Sequence, residues 1–386
     1  MKAIRLPCAD GGFRVHRPSA AGLAPFARGP ARSRVFYAAA HVAAAPAAGP
    51  GASAPAVDWE ATLGIRHRLW EWGLGVAEAM DTAQRGAGLG WPDAAELIRR
   101  SAREARAVGG RIVCGAGTDH LPPGPAHSLA AITAAYEEQL AHVEDCGASA
   151  VLMASRLLAS VARGPEDYRE VYGALLRQSS RPVVLHWLGP VFDPALAGYW
   201  GHDEPDEAAA VLVKIVEEHP RKVDGVKVSL LDAELEKELR RRLPPGVRCY
   251  TGDDLHYPEL IAGDGERAGD ALLGIFGPIA PIAARAALAL DREDPGGFRA
   301  LLDPTVALSR HLFAPPTPLY KTGVVLLAWL AGYQEHFTML AGLESARPLP
   351  HLARAYELAD RLGLFPDPEG AADRMRRLLA DRGVGA

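Results

Sequence analysis

Lys227 lies in Val223-Asp224-Gly225-Val226-Lys227-Val228-Ser229, a short apolar run of the kind that forms a buried strand. An ammonium inside such a strand is costly unless it is paired or neutral. A neutral lysine amine is a nucleophile toward carbonyl carbon. The plain alternative is a core lysine that snorkels to the end of its strand or pairs with a carboxylate. His186 closes a second apolar run, Pro182–His186. An imidazole titrates near neutrality and suits the proton transfers of carbinolamine formation, dehydration and carbon–carbon cleavage. It can equally be a histidine satisfied by backbone at a strand end.

Other groups fall at the ends of similar runs. Asp81-Thr82 follow Val76–Met80 and can orient substrate hydroxyls; Asp81 can instead form a structural ion pair with Lys227 or Arg156. Arg156 follows Ala150–Ala154 and is the available cation for a carboxylate or phosphate, or else a solvated loop residue. In Thr251-Gly252-Asp253-Asp254, Gly252 allows close approach of a ligand to backbone and Asp253 is a candidate substrate contact. Helix capping is the other reading of the two acids. Trp187, next to His186, and Trp200 are candidate pocket walls. A second constellation, Asp81, Asp119, His120, His186, Asp253 and His256, offers carboxylates and imidazoles. Asp81, His120, His186 and Asp253 are its candidate ligands for a divalent metal. No His-x-His or HExxH spacing supports it.

These residues sit in a chain of 386 with 48% apolar and 23% charged content, an ordinary globular composition. A net charge of -5 argues against nucleic acid or an anionic membrane as the main partner. Cys8, Cys114, Cys146 and Cys249 have no metal-binding spacing and are expected to be reduced. No signal peptide and no membrane-length apolar stretch is apparent, which points to a cytoplasmic protein.

The positioning elements alternate. Apolar runs at Arg34–Ala40, Val76–Met80, Arg111–Gly115, Ala150–Ala154, Pro182–His186, Gly225–Ser229, Val247–Tyr250 and Ala271–Phe276 are separated by helix-period segments. Eight strands alternating with helices predict an α/β (β/α)8 TIM barrel over residues 34–290. No glycine-rich phosphate loop favours the doubly wound alternative. Residues 1–33 predict a β-hairpin around Asp10-Gly11-Gly12 that caps the barrel bottom. Residues 43–56, rich in Ala, Pro and Gly, predict a mobile loop on the active face. Residues 291–386 predict a C-terminal helical bundle with helices at Phe298–Phe313, Leu319–Leu340, Pro350–Leu362 and Ala371–Arg382.

The order of these motifs resembles the dihydrodipicolinate synthase/N-acetylneuraminate lyase family of class I aldolases. Val57-Asp58 before a helix is similar to that family's opening after strand one. Gly75–Thr82 stands where the family has a strand ending in Gly-Thr-Thr-Gly-Glu. Ile112–Thr118 and Cys146–Leu152 resemble strand three and the approach to strand four. Pro182–Trp187 stands where an apolar strand ends in Tyr-Asn. Gly225-Val226-Lys227 resembles the Schiff-base strand, and Thr251-Gly252-Asp253-Asp254 the Ser-Gly-Asp-Asp of strand seven.

The resemblance implies a covalent Schiff base on Lys227 with no cofactor, a small-molecule substrate, and a homo-oligomer, dimer or tetramer. Departures qualify it. Of the family's paired threonines only Thr82 remains, beside Asp81, which should repel a substrate carboxylate. The proton-relay tyrosine is His186, Pro-Tyr-Tyr is Arg156-Leu157-Leu158, and Pro190 and Val191 lie where lysine-pathway members have an arginine. Dihydrodipicolinate synthesis proper is therefore not expected. The expectation is a lyase or aldolase acting on a hydroxylated, sugar-derived carbonyl compound. A metal-dependent sugar isomerase or class II aldolase is the enzymatic alternative, and a ligand-binding barrel the non-enzymatic one.

Overall fold

The computed structural model describes residues 2–19, 22–24, 26, 28–47, 54–124 and 126–384. Eight parallel strands close into a barrel: β1 Phe36–Ala39, β2 Gly75–Glu78, β3 Ile112–Ala116, β4 Ser149–Leu152, β5 Val183–Leu188, β6 Val223–Ser229, β7 Arg248–Thr251 and β8 Asp270–Leu273. Each lies within a few residues of its apolar run. This is the (β/α)8 architecture expected.

Alternation along each strand sorts the side chains. Tyr37, Ala77, Val113, Val151, Val184, Tyr250 and Leu272 point inward and fill the barrel. Their pleat neighbours face outward. Cys114, Leu152, Leu185, Val226 and Cys249 pack under the helices that follow the strands. These helices are α1 Trp59–Trp72, α2 Trp91–Val108, α3 Leu129–Asp145, α4 Pro165–Gln178, α5 Pro205–Glu218, α6 Ala233–Arg242, α7 Tyr257–Ala262 and α8 Ala280–Asp291. Helix α8 carries no 3.6-residue polar stripe because it is covered on both sides. Ala280, Ala283, Ala284, Ala286 and Ala287 share one core with the barrel and the C-terminal helices. All four cysteines are free thiols, and Cys114 and Cys249 are buried. No described helix is long and apolar enough to cross a membrane.

The C-terminal region forms five helices: α9 Pro295–Leu302, α10 Val306–Leu312, α11 Tyr320–Leu330, α12 Leu349–Arg361 and α13 Pro368–Asp381. The expected helix at Phe298–Phe313 is divided at Asp303–Thr305, where Pro304 cannot supply an amide to the ladder. The one expected over Leu319–Leu340 ends at Leu330, shortly before Gly332 turns the chain at φ 76°.

The hairpin Ile4–Pro7 with Phe13–His16 forms as expected, but its location is different. It packs on α12 rather than beneath the barrel. His16 Nε2 lies 2.8 Å from Asp360 Oδ2, the Ser19 amide donates to the same oxygen at 2.9 Å, and Arg14 pairs with Glu357. The segment after β1 is tied at its base by Ala44–Ala45 pairing with Ala56–Val57; its centre, 48–53, lies outside the described residues, and so does that part of the expected mobile loop.

Candidate active site

Lys227 sits in the inward row of β6, between His186 of β5 and Tyr250 of β7 in strand register. Only 9% of it is exposed. Burial lowers its pKa below the ordinary lysine range, and the negative charges of Asp254 and Asp81 oppose that shift. The stem lies over Gly252. A Cβ there would stand 3.0 Å from Lys227 Cε and 2.2 Å from Ser229 Oγ, so the absence of a side chain makes room for the lysine.

Asp254 is the acid that faces this amine. It is 4% exposed, and burial raises its carboxyl above the usual range, while the amides of Ile275 and Gly274 and the charge of Lys227 pull it down. The Ile275 amide donates to Asp254 Oδ1 at 2.8 Å. Asp253 faces elsewhere. Its Oδ1 accepts the amides of Leu255 and His256 at 2.7 and 3.0 Å, and its Oδ2 lies 2.8 Å from His256 Nδ1. Of the two candidate roles for Asp253, the structure shows the cap.

His186 is 2% exposed. Burial first, and the Lys227 charge second, push its pKa well below the histidine norm, so the ring is neutral. Its Nε2 lies 3.1 Å from Ser229 Oγ. Ser229 is two residues from Lys227 and therefore on the same face of β6, a signal that strand alternation carried.

The end of β2 supplies a third group. Thr82 Oγ1 lies 2.7 Å from the Tyr320 hydroxyl, which donates to Asp81 Oδ2 at 3.2 Å. Lys321 Nζ is 3.1 Å from Asp81 Oδ1. Asp81 is ion-paired, as one reading allowed, but its partner is neither Lys227 nor Arg156. Tyr320 and Lys321 open α11, far outside the barrel sequence, and nothing in their local pattern announces them.

Three candidates lie away from this cluster. Arg156 is largely exposed and pairs with Asp193. Trp187 is on the opposite pleat face from His186 and packs in the core between barrel and helices, so it is not a pocket wall. Trp200 is fully buried among Tyr168, Tyr172 and Tyr199. The four side chains of the divalent-metal alternative are not brought together. His120 Nδ1 lies 2.8 Å from Gln139 Nε2, and Asp81, His186 and Asp253 hold the partners already described. Among the described residues, no group of three or more His, Cys, Asp and Glu side chains is placed to hold a metal.

Near the cluster, Arg85 bridges β2 and β3. It forks onto Asp119 at 2.7 Å through Nε and Nη2, and its Nη1 donates to the Ala79 and Gly115 carbonyls at 3.2 and 3.0 Å. Behind β2, Arg66 holds Glu78 bidentately at 2.8 Å with both side chains fully buried. These pairs brace the strand ends that present Asp81 and Thr82.

With this geometry in place, comparison with known proteins gives the chain a family. Residues 4–384 match the model of the family described as "Protein of unknown function (DUF993)". The chain belongs to that family. No curated protein matches the sequence. Among solved structures, dihydrodipicolinate synthase from Thermotoga maritima superimposes with a TM-score of 0.64 at 15% identity, covering 86% of this chain and 98% of that one. The enzymes from Bacteroides thetaiotaomicron and Aquifex aeolicus give TM-scores of 0.63 and 0.62, each at 15% identity, covering 84% and 91% of this chain and 98% of each of theirs. This chain thus carries the barrel fold seen in dihydrodipicolinate synthases.

Proposed function

We propose that the protein is a Schiff-base lyase or aldolase that makes or breaks a carbon–carbon bond, or eliminates water, in a hydroxylated and sugar-derived carbonyl compound. The observation that carries this reading is the Lys227 amine. It is buried in a barrel strand, its pKa is lowered, and no hydrogen bond contributes to its state. A structural lysine would be expected to have a direct partner.

In the proposed reaction the neutral amine adds to the substrate carbonyl carbon. One proton passes from the nitrogen to the alkoxide oxygen to give the neutral carbinolamine, and a second must reach that oxygen before water departs. The iminium that results draws electrons from the neighbouring carbon–carbon bond. A base takes the proton of the β-hydroxyl as that bond breaks, and the electrons come to rest in an enamine. Protonation at carbon and hydrolysis return the free lysine. His186 serves as the base and acid of these steps, with Ser229 Oγ holding its ring. Its neutral state leaves a lone pair available, and deprotonation of Lys227 removes the repulsion that disfavours imidazolium. Asp254, in its ionised form, places a negative charge beside the developing iminium, whose positive charge favours that form. Thr82 and Asp81 face substrate hydroxyls.

The deciding experiment is borohydride reduction in the presence of keto acids and keto sugars, with the adduct mapped by mass spectrometry. A reduced adduct on Lys227 is expected. An adduct on another lysine, or full turnover after Lys227→Ala, contradicts the mechanism.

A further inference from the structure

The corner at the end of β2 is assembled from two distant parts of the chain, and its charge pattern speaks to the substrate. Both oxygens of Asp81 are engaged by α11. Lys321 Nζ is 3.1 Å from Oδ1, and the Tyr320 hydroxyl donates to Oδ2 at 3.2 Å. The Lys321 side chain is 5% exposed and that of Asp81 40%, so the acid is the reachable member of the pair. Lys321 also donates to the Pro318 carbonyl at 3.1 Å.

The arrangement is braced from both sides. The Arg347 guanidinium donates to the carbonyls of Pro315 and Pro316, each at 3.0 Å, which fastens the turn ahead of Tyr320. Gln84 Nε2, in the loop after β2, donates to the Leu340 carbonyl at 2.8 Å. A Cβ on Gly88 in the same loop would stand 2.6 Å from Leu340 Cβ. The C-terminal region is therefore docked directly on the loop that carries Asp81 and Thr82.

An acid alone would repel a substrate carboxylate, and a lysine alone would attract one. Together they carry no net charge and present an acceptor beside a donor. A substrate hydroxyl matches that pattern by donating to the exposed Asp81, whose charge the buried Lys321 cancels from behind. The hydroxyls of Thr82 and Tyr320, bonded to each other and buried, hold the acid in place.

We infer that Tyr320 and Lys321 are specificity-determining residues that, with Asp81 and Thr82, select an uncharged polyhydroxylated ketone or aldehyde over a 2-keto acid. The inference rests on the Schiff-base reading for where the carbonyl sits, yet binding alone tests the hydroxyl subsite. The experiment uses the full chain carrying Lys227→Ala, so that no adduct forms, with erythrulose and pyruvate titrated by ligand-observed NMR. Erythrulose is expected to bind at least about tenfold more tightly than pyruvate. Lys321→Met should weaken erythrulose about tenfold, and Tyr320→Phe by a smaller factor. Asp81→Asn should leave Lys321 unpaired and turn the preference toward pyruvate. If Lys321→Met does not fold, Asp81→Asn decides alone, because it keeps size and one acceptor oxygen. Pyruvate binding as tightly as erythrulose in the parent overturns the inference. So does an unchanged preference in Asp81→Asn, and so does binding of neither probe. None of these results bears on borohydride trapping by the unsubstituted protein, which judges the Schiff-base reading separately.

Discussion

The charged groups at the two ends of the barrel are partnered differently. At the N-terminal mouth, the Tyr250 hydroxyl donates to Asp224 Oδ2 at 2.5 Å, and Arg248 reaches Asp224 at 2.8 Å and Asp270 at 3.3 Å. Asp270 Oδ1 also accepts the Val35 amide at 2.5 Å. Each carboxylate there has two donors, both on β7 for Asp224, and β7 plus the Val35 amide for Asp270. At the C-terminal mouth, Lys227 and Asp254 are desolvated and displaced from their ordinary pKa values in opposite directions. Their attraction offsets only part of the cost of burial. Satisfied charges at one end hold strands together. Strained charges at the other end cost stability and are the ones able to exchange protons with a substrate.

The contrast is sharpest for Lys227→Ala. This substitution should abolish the borohydride-trappable adduct while leaving the melting temperature unchanged or raised, since it removes a desolvated ammonium. A clear fall in melting temperature would mark the lysine as structural. Next is His186→Ala, expected to cost about 10²–10⁴-fold in turnover while the Lys227 adduct remains detectable. Normal turnover would leave the imidazole with no more than a packing role.

The opposite behaviour is expected at a satisfied pair. Arg66→Met leaves Glu78 buried without a partner and should cost about 3–5 kcal/mol in urea unfolding. Loss of much less than this would mean that the two kinds of buried charge are not distinct. Gly252→Ala puts a methyl group against Ser229, the Val228 carbonyl and the lysine stem, and should slow adduct formation about 10²-fold while costing about 1–3 kcal/mol of stability.

The smallest effect is a shift in pH dependence. Adduct formation should rise with pH as Lys227 loses its proton, over a range below that of an ordinary lysine. Asp254 raises the Lys227 pKa, so Asp254→Asn should move this rise to lower pH. A rise that moves upward or stays in place would show that the two groups are not electrostatically linked.

Much of the barrel was legible because its strands are short apolar runs bounded by turns and helices, and alternation then assigns faces. The same rule places Ser229 beside Lys227 and turns Trp187 away from His186. The resemblance to Ser-Gly-Asp-Asp points to the turn beside Lys227, but the choice between Asp253 and Asp254 depends on which carboxylate meets the following amides, and no spacing encodes that. Arg156 follows the expected strand, yet it leans outward to Asp193, a partner supplied by a different loop. Helix α8 shows no helical period in the sequence because its burial erases the polar stripe that periodicity needs. Tyr320 and Lys321 were illegible for a further reason. Their site partner lies 239 residues earlier for the Tyr320–Asp81 bond, and local sequence carries no record of that meeting.

That separation has a consequence during synthesis. Strands and helices of the barrel are made in order, and each can pair with the one before it as the chain emerges. The Asp81 corner cannot be finished this way. It waits for Tyr320, Lys321 and then Arg347, so a growing chain can present a folded barrel with Lys227 in place and an acid still unmatched. Closure of this long loop comes after the barrel strands are made, which makes the C-terminal helices the step at which a nascent chain acquires its chemical selectivity.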